Sequence, residues 1–164
     1  MKMGLYELLN IAAQQKTRKA KIEKLQEAVR IEPRIITYLK YACKHDIIFD
    51  LPTEKDGPAP YKPCVENMDL ESVIFNDIRF MKYFILGNKL RQYKREKVFI
   101  EFLERIEPDD ALFIVAMKDK MLPFGEKLTK EHVLLAFPEQ TKGWRSPKEQ
   151  LDFDATMRTD GRRK

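Results

Sequence analysis

The sequence predicts an all-α protein that folds as a single compact domain of about seven helices, with one long proline-rich loop and a mobile C-terminal tail. Apolar residues recur every three to four positions along most of the chain, which is the period of a helix with one buried face. The 164 residues contain only six glycines. The 43% hydrophobic and 10% aromatic fractions are sufficient for a core, and the 35% charged fraction predicts a densely ionic surface.

Three helices are predicted in the first part of the chain. Thr17 is a suitable N-cap for the second, and Pro33 separates the second from the third because proline is tolerated in a first turn but not in a helix interior. The three apolar stripes consist, in order, of Leu5, Leu8, Leu9, Ala12 and Ala13; of Ile22, Leu25 and Val29; and of Ile35, Ile36, Leu39 and Cys43.

Residues 47–67 are predicted to form a long loop. Four prolines and a glycine exclude a regular helix there, namely Pro52, Gly57, Pro58, Pro60 and Pro63. A loop of this length without secondary structure is uncommon and often functional. The apolar residues expected to fix it on the core are Ile47, Ile48, Phe49 and Tyr61.

The strongest helical periodicity follows, and it predicts one helix from about Leu70 to Ile85 that ends at Gly87-Asn88. Three further helices are predicted after it. Asp109 and Asp110 are expected in the first turn of the sixth helix, where acids complement the helix dipole. The stripes of these helices consist of Val98, Phe99, Phe102, Leu103 and Ile106; of Leu112, Ile114, Val115 and Met117; and, after a break at Pro123 and Gly125 and a cap at Thr129, of Val133, Leu134 and Phe137.

The helical periodicity fades after Gly143. We therefore predict a helical domain over residues 1–145 and a flexible charged tail over residues 146–164.

Composition also limits the cellular compartment. No apolar run approaches the roughly 18 residues needed to cross a bilayer, and residues 1–7 lack the apolar stretch of a secretory signal. Cys43 and Cys64 are too few for a disulfide framework. These observations predict a cytoplasmic protein that does not interact with a membrane.

Basic residues are clustered, and the net charge is +5. The clusters lie at the predicted start of the second helix, at the turn into the fifth helix, and around the break before the last helix. Positive side chains at helix starts are typical of phosphate-backbone binding; the alternative is a solvated charged face. The residues predicted to contact nucleic acid are Lys19, Lys21, Lys94, Arg95, Lys118, Lys120, Gly125, Thr129 and Lys130.

No catalytic or metal site is predicted. Cys43, His45, Cys64 and His132 lack the paired ligand spacing of a zinc site, and no phosphate-binding glycine loop or nucleophile elbow occurs. We therefore expect neither an enzyme nor a cofactor.

A second hypothesis is a protein-interaction adaptor that binds a replication, transcription or defence protein, such as a sliding clamp. Tyr61 in the proline-rich loop is a candidate contact residue. In the tail, residues 150–154 (Gln-Leu-Asp-Phe-Asp) place Leu151 and Phe153 between acids, and this pattern loosely resembles the short peptides that bind sliding clamps.

Most of the chain resembles a family of uncharacterised proteins carried by large tailed bacteriophages. The resemblance rests on the Pro-Tyr-Lys-Pro loop at 60–63 and on four later segments. These are Lys-Arg-Glu-Lys-Val-Phe-Ile at 94–100, Asp-Asp-Ala at 109–111, Met-Lys-Asp-Lys at 117–120, and Leu128-Thr129 leading to Ala-Phe-Pro at 136–138. It implies a location in the infected bacterial host but no particular activity.

The order of elements also resembles the helical N-terminal DNA-binding domain of phage-type ATP-dependent DNA ligases. The counterparts are the opening leucine-alanine helix, the basic Thr-Arg-Lys-Ala-Lys helix at 17–21, the long apolar helix and the final segment that ends in Phe137-Pro138. The resemblance implies contacts to double-stranded or nicked DNA, at positions matching Lys118, Lys120, Gly125, Thr129 and Lys130. The ligase's Arg-Asp-x-x-x-Gly turn is only approximated here, by Lys118-Asp119 and the later Gly125. The ligase resemblance implies a non-enzymatic phage accessory protein, because the ligase catalytic domain has no counterpart in this chain.

Overall fold

The computed structural model describes residues 3–52, 61–64 and 73–162, with side chains as far as Arg158. Within these ranges the chain forms α-helices and 3-10 helices and no β-strand, which confirms the all-α prediction. The α-helices are α1 (Leu5–Ala13), α2 (Arg18–Ile31), α3 (Ile35–Cys43), α4 (Val73–Asn76), α5 (Gln92–Arg105), α6 (Pro108–Lys118), α7 (Lys130–Ala136) and α8 (Pro147–Arg162). Two 3-10 helices span Ile78–Phe84 and Gly125–Lys127.

One hydrophobic cluster joins the helices, and it extends from Leu5 to Trp144. Helix α2 packs on α1 and α7, while α6 packs on α1, α3 and α5. Tyr38 makes edge-to-face contacts with Phe75 and Phe113, at centroid distances of 6.3 and 6.2 Å. Each fully buried side chain of this size contributes roughly 1.5–3 kcal/mol through the removal of apolar surface from water.

The first three helices confirm the predictions from periodicity. All five apolar residues predicted for α1 are buried. Thr17 caps α2, because its Oγ1 accepts a hydrogen bond from the Ala20 N–H at 3.1 Å. Helix α3 begins two residues after Pro33 and buries Cys43 in its last turn.

The predicted long helix from Leu70 to Ile85 is wrong. Residues 65–72 lie outside the described ranges, and the rest divides into the short helix α4 and a 3-10 helix. In a continuous α-helix the Ile74 carbonyl would accept from the Ile78 N–H. The buried Tyr38 hydroxyl donates to this carbonyl instead, and the chain tightens after Asp77.

The proline-rich loop is described only at its ends, because residues 53–60 and 65–67 lie outside the described ranges. Phe49 is buried, and Ile47 and Tyr61 pack partly on the core, as predicted. Ile48 is instead 50% exposed. The loop start is fixed by backbone hydrogen bonds from Asp50 N–H to Phe84 O (2.8 Å) and from Leu86 N–H to Ile48 O (2.7 Å).

Helices α5, α6 and α7 lie where periodicity predicts them. One assignment on α6 is wrong, since Leu112 is 48% exposed and Asp110 is buried in its place. The Asp110 Oδ1 accepts a hydrogen bond from the Tyr6 N–H at 2.8 Å. This contact joins the start of α1 to the start of α6.

The predicted flexible tail contains a helix, α8, whose side chains are mostly exposed. Ser146 and Glu149 form a reciprocal cap, with Glu149 N–H donating to Ser146 Oγ at 3.1 Å and Ser146 N–H to Glu149 Oε1 at 3.4 Å. The Arg145 guanidinium lies 3.8 Å from the Phe153 ring centroid. The sequence contains the signal for this helix, Ser-x-x-Glu with proline at the first helical position.

Candidate nucleic-acid interface

Arg95, predicted to contact nucleic acid, is instead an internal residue with 4% exposure. Its guanidinium pairs with Asp50 Oδ2 at 2.9 Å and donates to Gln92 Oε1 at 2.7 Å. It also donates to the carbonyls of Asn88 (3.3 Å) and Leu90 (2.5 Å). A guanidinium whose donors are used in this way is not available to a phosphate, so Arg95 is a positioning residue for the turn that precedes α5.

Hydrogen bonds of the Asn88 side chain hold the turn at 86–91 against the end of the preceding 3-10 helix. Asn88 Nδ2 donates to the Lys82 carbonyl at 2.9 Å, and the Leu90 N–H donates to Asn88 Oδ1 at 2.7 Å. Gly87 has a φ of +96°, a conformation that side chains other than glycine rarely adopt. The backbone bonds of this turn and Arg95 together direct Lys89 and Arg91 into solvent.

We define the α5 basic surface as five exposed cations, which lie in the 3-10 helix Ile78–Phe84, in the turn after it and in the first turns of α5: Lys82, Lys89, Arg91, Lys94 and Lys97. Residues 78–95 contain no aspartate or glutamate. None of the five cations forms an ion pair with a carboxylate in the part of the chain that the structure describes.

Two further features complete the α5 basic surface. Helix α5 has no acid in its first turn and no side-chain cap, so its first amides and its dipole add positive potential. Tyr93 is 68% exposed and Leu86 is 58% exposed. The surface therefore combines unpaired cations, helix amides and one exposed aromatic ring.

The clusters at the starts of α2 and α7 come together, because these helices pack on each other. The Lys21 ammonium donates to the Lys127 carbonyl. Lys16, Arg18, Lys19 and Lys127 are exposed, and no ion pair with a described carboxylate involves them. Lys19 is thus available to an anion, whereas Lys21 already has an internal partner.

The backbone N–H of Thr129, which was predicted to bind a phosphate, already has a hydrogen-bond acceptor within the protein. The Thr129 N–H donates to His132 Nδ1 at 3.0 Å, so the backbone donor that was expected to face a ligand is satisfied internally. Burial, and then the positive charges of Lys21 and Arg18, lower the pKa of His132 below 6.5. Because the Thr129 N–H donates to Nδ1, this nitrogen is the acceptor of the ring.

Two of the predicted lysines in this region are also engaged. Lys118 is buried, with its Nζ 3.2 Å from the Asp119 carboxylate, which rules it out as a phosphate contact. Lys130 forms a 2.8 Å ion pair with Glu149 of α8. Lys120, Gly125, Thr129 and Lys130 line one cavity of about 270 Å³. The structure brings these four predicted residues together, but around a small cavity instead of an open surface.

The residues predicted to contact a protein do not form a common surface. Leu151 is 70% exposed, while Phe153 is partly covered by Arg145. They lie two positions apart on α8, about 200° around the helix axis. Tyr61 packs partly on the core. The clamp-peptide arrangement, in which both apolar residues enter one groove, is not present in this helix.

The described cysteines and histidines are dispersed. Cys43 is buried in α3, His45 Nδ1 lies 3.2 Å from the Trp144 carbonyl, and His132 caps α7. Across the described ranges, no group of three or more histidine, cysteine, aspartate or glutamate side chains is arranged for a metal ion. Nor does any helix there combine the length and apolar character needed to span a bilayer.

A family model matches residues 8–123, and its description is a family of unknown function (DUF6433). The chain belongs to this family. The match begins within α1, includes α2 to α6 and the whole α5 basic surface, and ends before α7 and α8. No curated protein and no solved structure shows a significant match to the chain.

The sequence analysis located the basic cluster at α5 but did not distinguish the buried Arg95 from the exposed Lys94. It did not name Lys82 or the exposed Tyr93. The signal that could have found most of the surface, all except Lys97, is the acid-free run over 78–95, since a solvated structural face normally intersperses acids with bases.

Proposed function

We propose that this member of the family is a non-enzymatic accessory protein that binds DNA, double-stranded or nicked, mainly through its phosphate backbone. The α5 basic surface is the proposed contact region. The observation that supports it is the absence of carboxylate partners for Lys82, Lys89, Arg91, Lys94 and Lys97 within the described chain. Lys19, at the start of α2, is a second proposed contact.

Unpaired cations suit this function because a phosphate can bind them without breaking an internal ion pair. A phosphate that bound Lys130 would have to share that amine with Glu149, whose carboxylate already pairs with it at 2.8 Å. Each phosphate neutralised by a free lysine or arginine releases counterions, which contributes affinity that falls with salt. The exposed Tyr93 ring offers a face on which an unstacked base can pack.

The resemblance to the DNA-binding domain of phage-type ligases supports DNA as the ligand and a bacteriophage setting. The proposed contact region differs from the one that this resemblance implies. The matching positions Lys118 and Thr129 have internal partners here, whereas the α5 cations do not. Contacts confined to phosphates predict weak sequence preference.

Fluorescence anisotropy of labelled duplex, nicked and single-stranded DNA tests the proposal. If four phosphates are contacted, affinity for duplex should fall about 100-fold between about 50 and 200 mM salt. The variant Lys89→Gln/Arg91→Gln/Lys94→Gln should bind more weakly, with a salt slope reduced by roughly 0.9 for each lost contact.

The matched control is Lys40→Gln/Lys142→Gln/Lys148→Gln, which removes the same charge from exposed lysines outside the α5 basic surface. Equal losses in both triple variants would show only a nonspecific charge effect and would refute the proposed surface. No binding by the wild type at the lowest salt would refute DNA binding itself. That result would favour the adaptor hypothesis, with the exposed Leu151 as the first residue to test.

A further inference from the structure

The cavity of about 270 Å³ lies between the end of α3, the segment that follows α6, and the start of α7. Its apolar walls include Ala42, Cys43, Leu122 and Leu128. Burial raises the pKa of the Cys43 thiol to about 12, so this side chain remains neutral and belongs to the apolar wall. Pockets for drug-sized ligands start at about 300 Å³. This cavity is slightly smaller, so it suits a ligand smaller than these.

Lys120 contributes an amine to this cavity from an unusual backbone conformation. Its φ is +61°, and among the described residues other than glycine it is the one with a positive φ. This left-handed residue ends α6, because the Met121 N–H donates back across it to the Ala116 carbonyl at 3.0 Å. The Lys120 ammonium donates to the Tyr41 carbonyl and lies 5.7 Å from the Phe49 ring centroid. Two of its three N–H donors remain available.

Lys130 contributes the second amine. One of its donors binds Glu149 at 2.8 Å, which leaves two. The two amines are close enough for the positive charge of Lys130 to lower the pKa of Lys120, in addition to the larger effect of burial. Both lysine charges also act on the Cys43 thiol in the wall. Two lysines therefore line one cavity whose lining residues include no carboxylate, and the carboxylate of Glu149 pairs with Lys130 from outside the lining.

We propose that this cavity binds a small organic anion, a carboxylate or phosphate on an apolar body about the size of a benzene ring. The anionic group lies between the amines of Lys120 and Lys130, and the apolar body packs on Ala42, Cys43 and Leu122. An apolar cavity of about 150 Å³ is sufficient for benzene, and the remaining volume accommodates the anionic group. The bound anion relieves the repulsion between the two amines.

This site is separate from the proposed DNA-binding function. A cavity of this size does not admit a duplex, and none of the five cations of the α5 basic surface lines it. Loss of one activity therefore leaves the other measurable, and the two proposals can fail independently.

The protonation of Lys120 gives a readout specific to the site. Burial, first, and then the charges of Lys130 and Lys44 lower the pKa of Lys120 to about 8, while Cys43 and Asp46 act in the opposite direction. A bound anion stabilises the charged amine and raises this pKa. Binding at a pH near 8 should take up a fraction of a proton, and affinity should decline as the pH rises through that value.

Isothermal titration calorimetry with phenyl phosphate and benzoate tests the proposal, with inorganic phosphate and benzyl alcohol as comparators. We expect at least one aromatic anion to bind tenfold more tightly than both comparators. Its heat of binding near pH 8 should depend on the ionisation enthalpy of the buffer. Equal binding of inorganic phosphate would refute the apolar subsite, and equal binding of benzyl alcohol would refute the role of the amines.

Two variants locate the site within the fold. Lys120→Met keeps the apolar stem and removes the charge, so we expect at least a tenfold loss of affinity and loss of the buffer dependence. Ala42→Leu fills the cavity and should abolish binding. Lys127→Met, an exposed residue outside the lining, is the control and should bind as the wild type does. A folded Lys120→Met or Ala42→Leu variant, verified by its thermal transition, that binds with wild-type affinity would overturn the assignment.

Discussion

Adjacent residues Lys94 and Arg95 have opposite roles although both are basic. Lys94 is exposed and has no described carboxylate partner, whereas Arg95 is buried against Asp50 and three backbone or side-chain acceptors. Composition and helical spacing predicted that this cluster is positive. They could not separate the two residues, because the burial of Arg95 depends on Asp50, a residue 45 positions away.

Asp110 is the other charged residue whose surroundings differ from the prediction. Burial raises its pKa to about 7, an effect that the hydrogen bond from Tyr6 N–H only partly offsets. Its Oδ2 has no hydrogen-bond partner among the described atoms. A β-carbon at Gly4 would lie 3.0 Å from this oxygen, so a larger residue at position 4 would force the Asp110 carboxylate to shift by a few tenths of an ångström.

The variant Asp110→Asn should change the pH dependence of stability. An acid whose pKa is raised in the folded state stabilises it at low pH, and this contribution is lost as the pH rises from about 4 through about 7. Asparagine cannot ionise, so the variant should melt above the wild type near pH 8 and below it near pH 4. Scanning calorimetry across this range is the measurement. Parallel melting curves for the two proteins at every pH would contradict the assignment of a raised pKa to Asp110.

At the scale of the helix, a hydroxyl group from a distant residue bonds to a backbone carbonyl in the segment where a long helix was predicted. Periodicity over residues 70–85 is as strong as in the helices that formed, yet the described part of this range, residues 73–85, contains α4 and a 3-10 helix and no continuous α-helix. The competing interaction is the bond from the Tyr38 hydroxyl to the Ile74 carbonyl. A contact between residues 36 positions apart is not visible in a local pattern.

We expect Tyr38→Phe to lower the free energy of unfolding by about 1–3 kcal/mol, because the buried Ile74 carbonyl loses its partner. Urea denaturation followed by circular dichroism gives this value. Tyr93→Phe removes a hydroxyl from an exposed ring and serves as the control, with an expected change within about 0.5 kcal/mol. Equal stabilities for both variants and the wild type would show that the bond does not contribute.

Helix α8 shows the reverse situation, in which a local signal was present but was outweighed by composition. Ser146, Pro147 and Glu149 form a capping box and a suitable first turn. The sparse apolar residues of the segment suggested a flexible tail instead. Its contacts with the rest of the fold are few and polar, chiefly Lys130–Glu149 and Arg145 on Phe153.

At the scale of the whole molecule, periodicity was sufficient for the fold class and for α1, α2, α3, α5, α6 and α7. These helices bury broad apolar faces, so local pattern and tertiary packing agree. The interface was predictable only as a set of positive segments. Which cations stay unpaired depends on where Asp50, Asp119 and Glu149 lie after folding.

The unpaired cations should also reduce stability. The molecule has a net charge of +5, and the α5 basic surface concentrates like charges that repel one another. Arg91→Gln/Lys94→Gln should therefore raise the melting temperature at low salt by about 1–3 °C while weakening DNA binding. Differential scanning fluorimetry at about 20 mM and 500 mM salt checks this, since screening should remove the difference. A lower melting temperature for the variant at low salt would contradict the argument.

The unequal burial of the two thiols makes the wild-type chain suitable for selective labelling. Cys43 has 3% exposure and a raised pKa, while Cys64, next to Pro63, is only half-buried. Since only an accessible thiolate reacts quickly, a maleimide dye should modify Cys64 first and Cys43 only when the core opens. One fluorophore can therefore be attached near the proline-rich loop without any substitution. The rate of the second modification then reports how often the centre of the molecule unfolds.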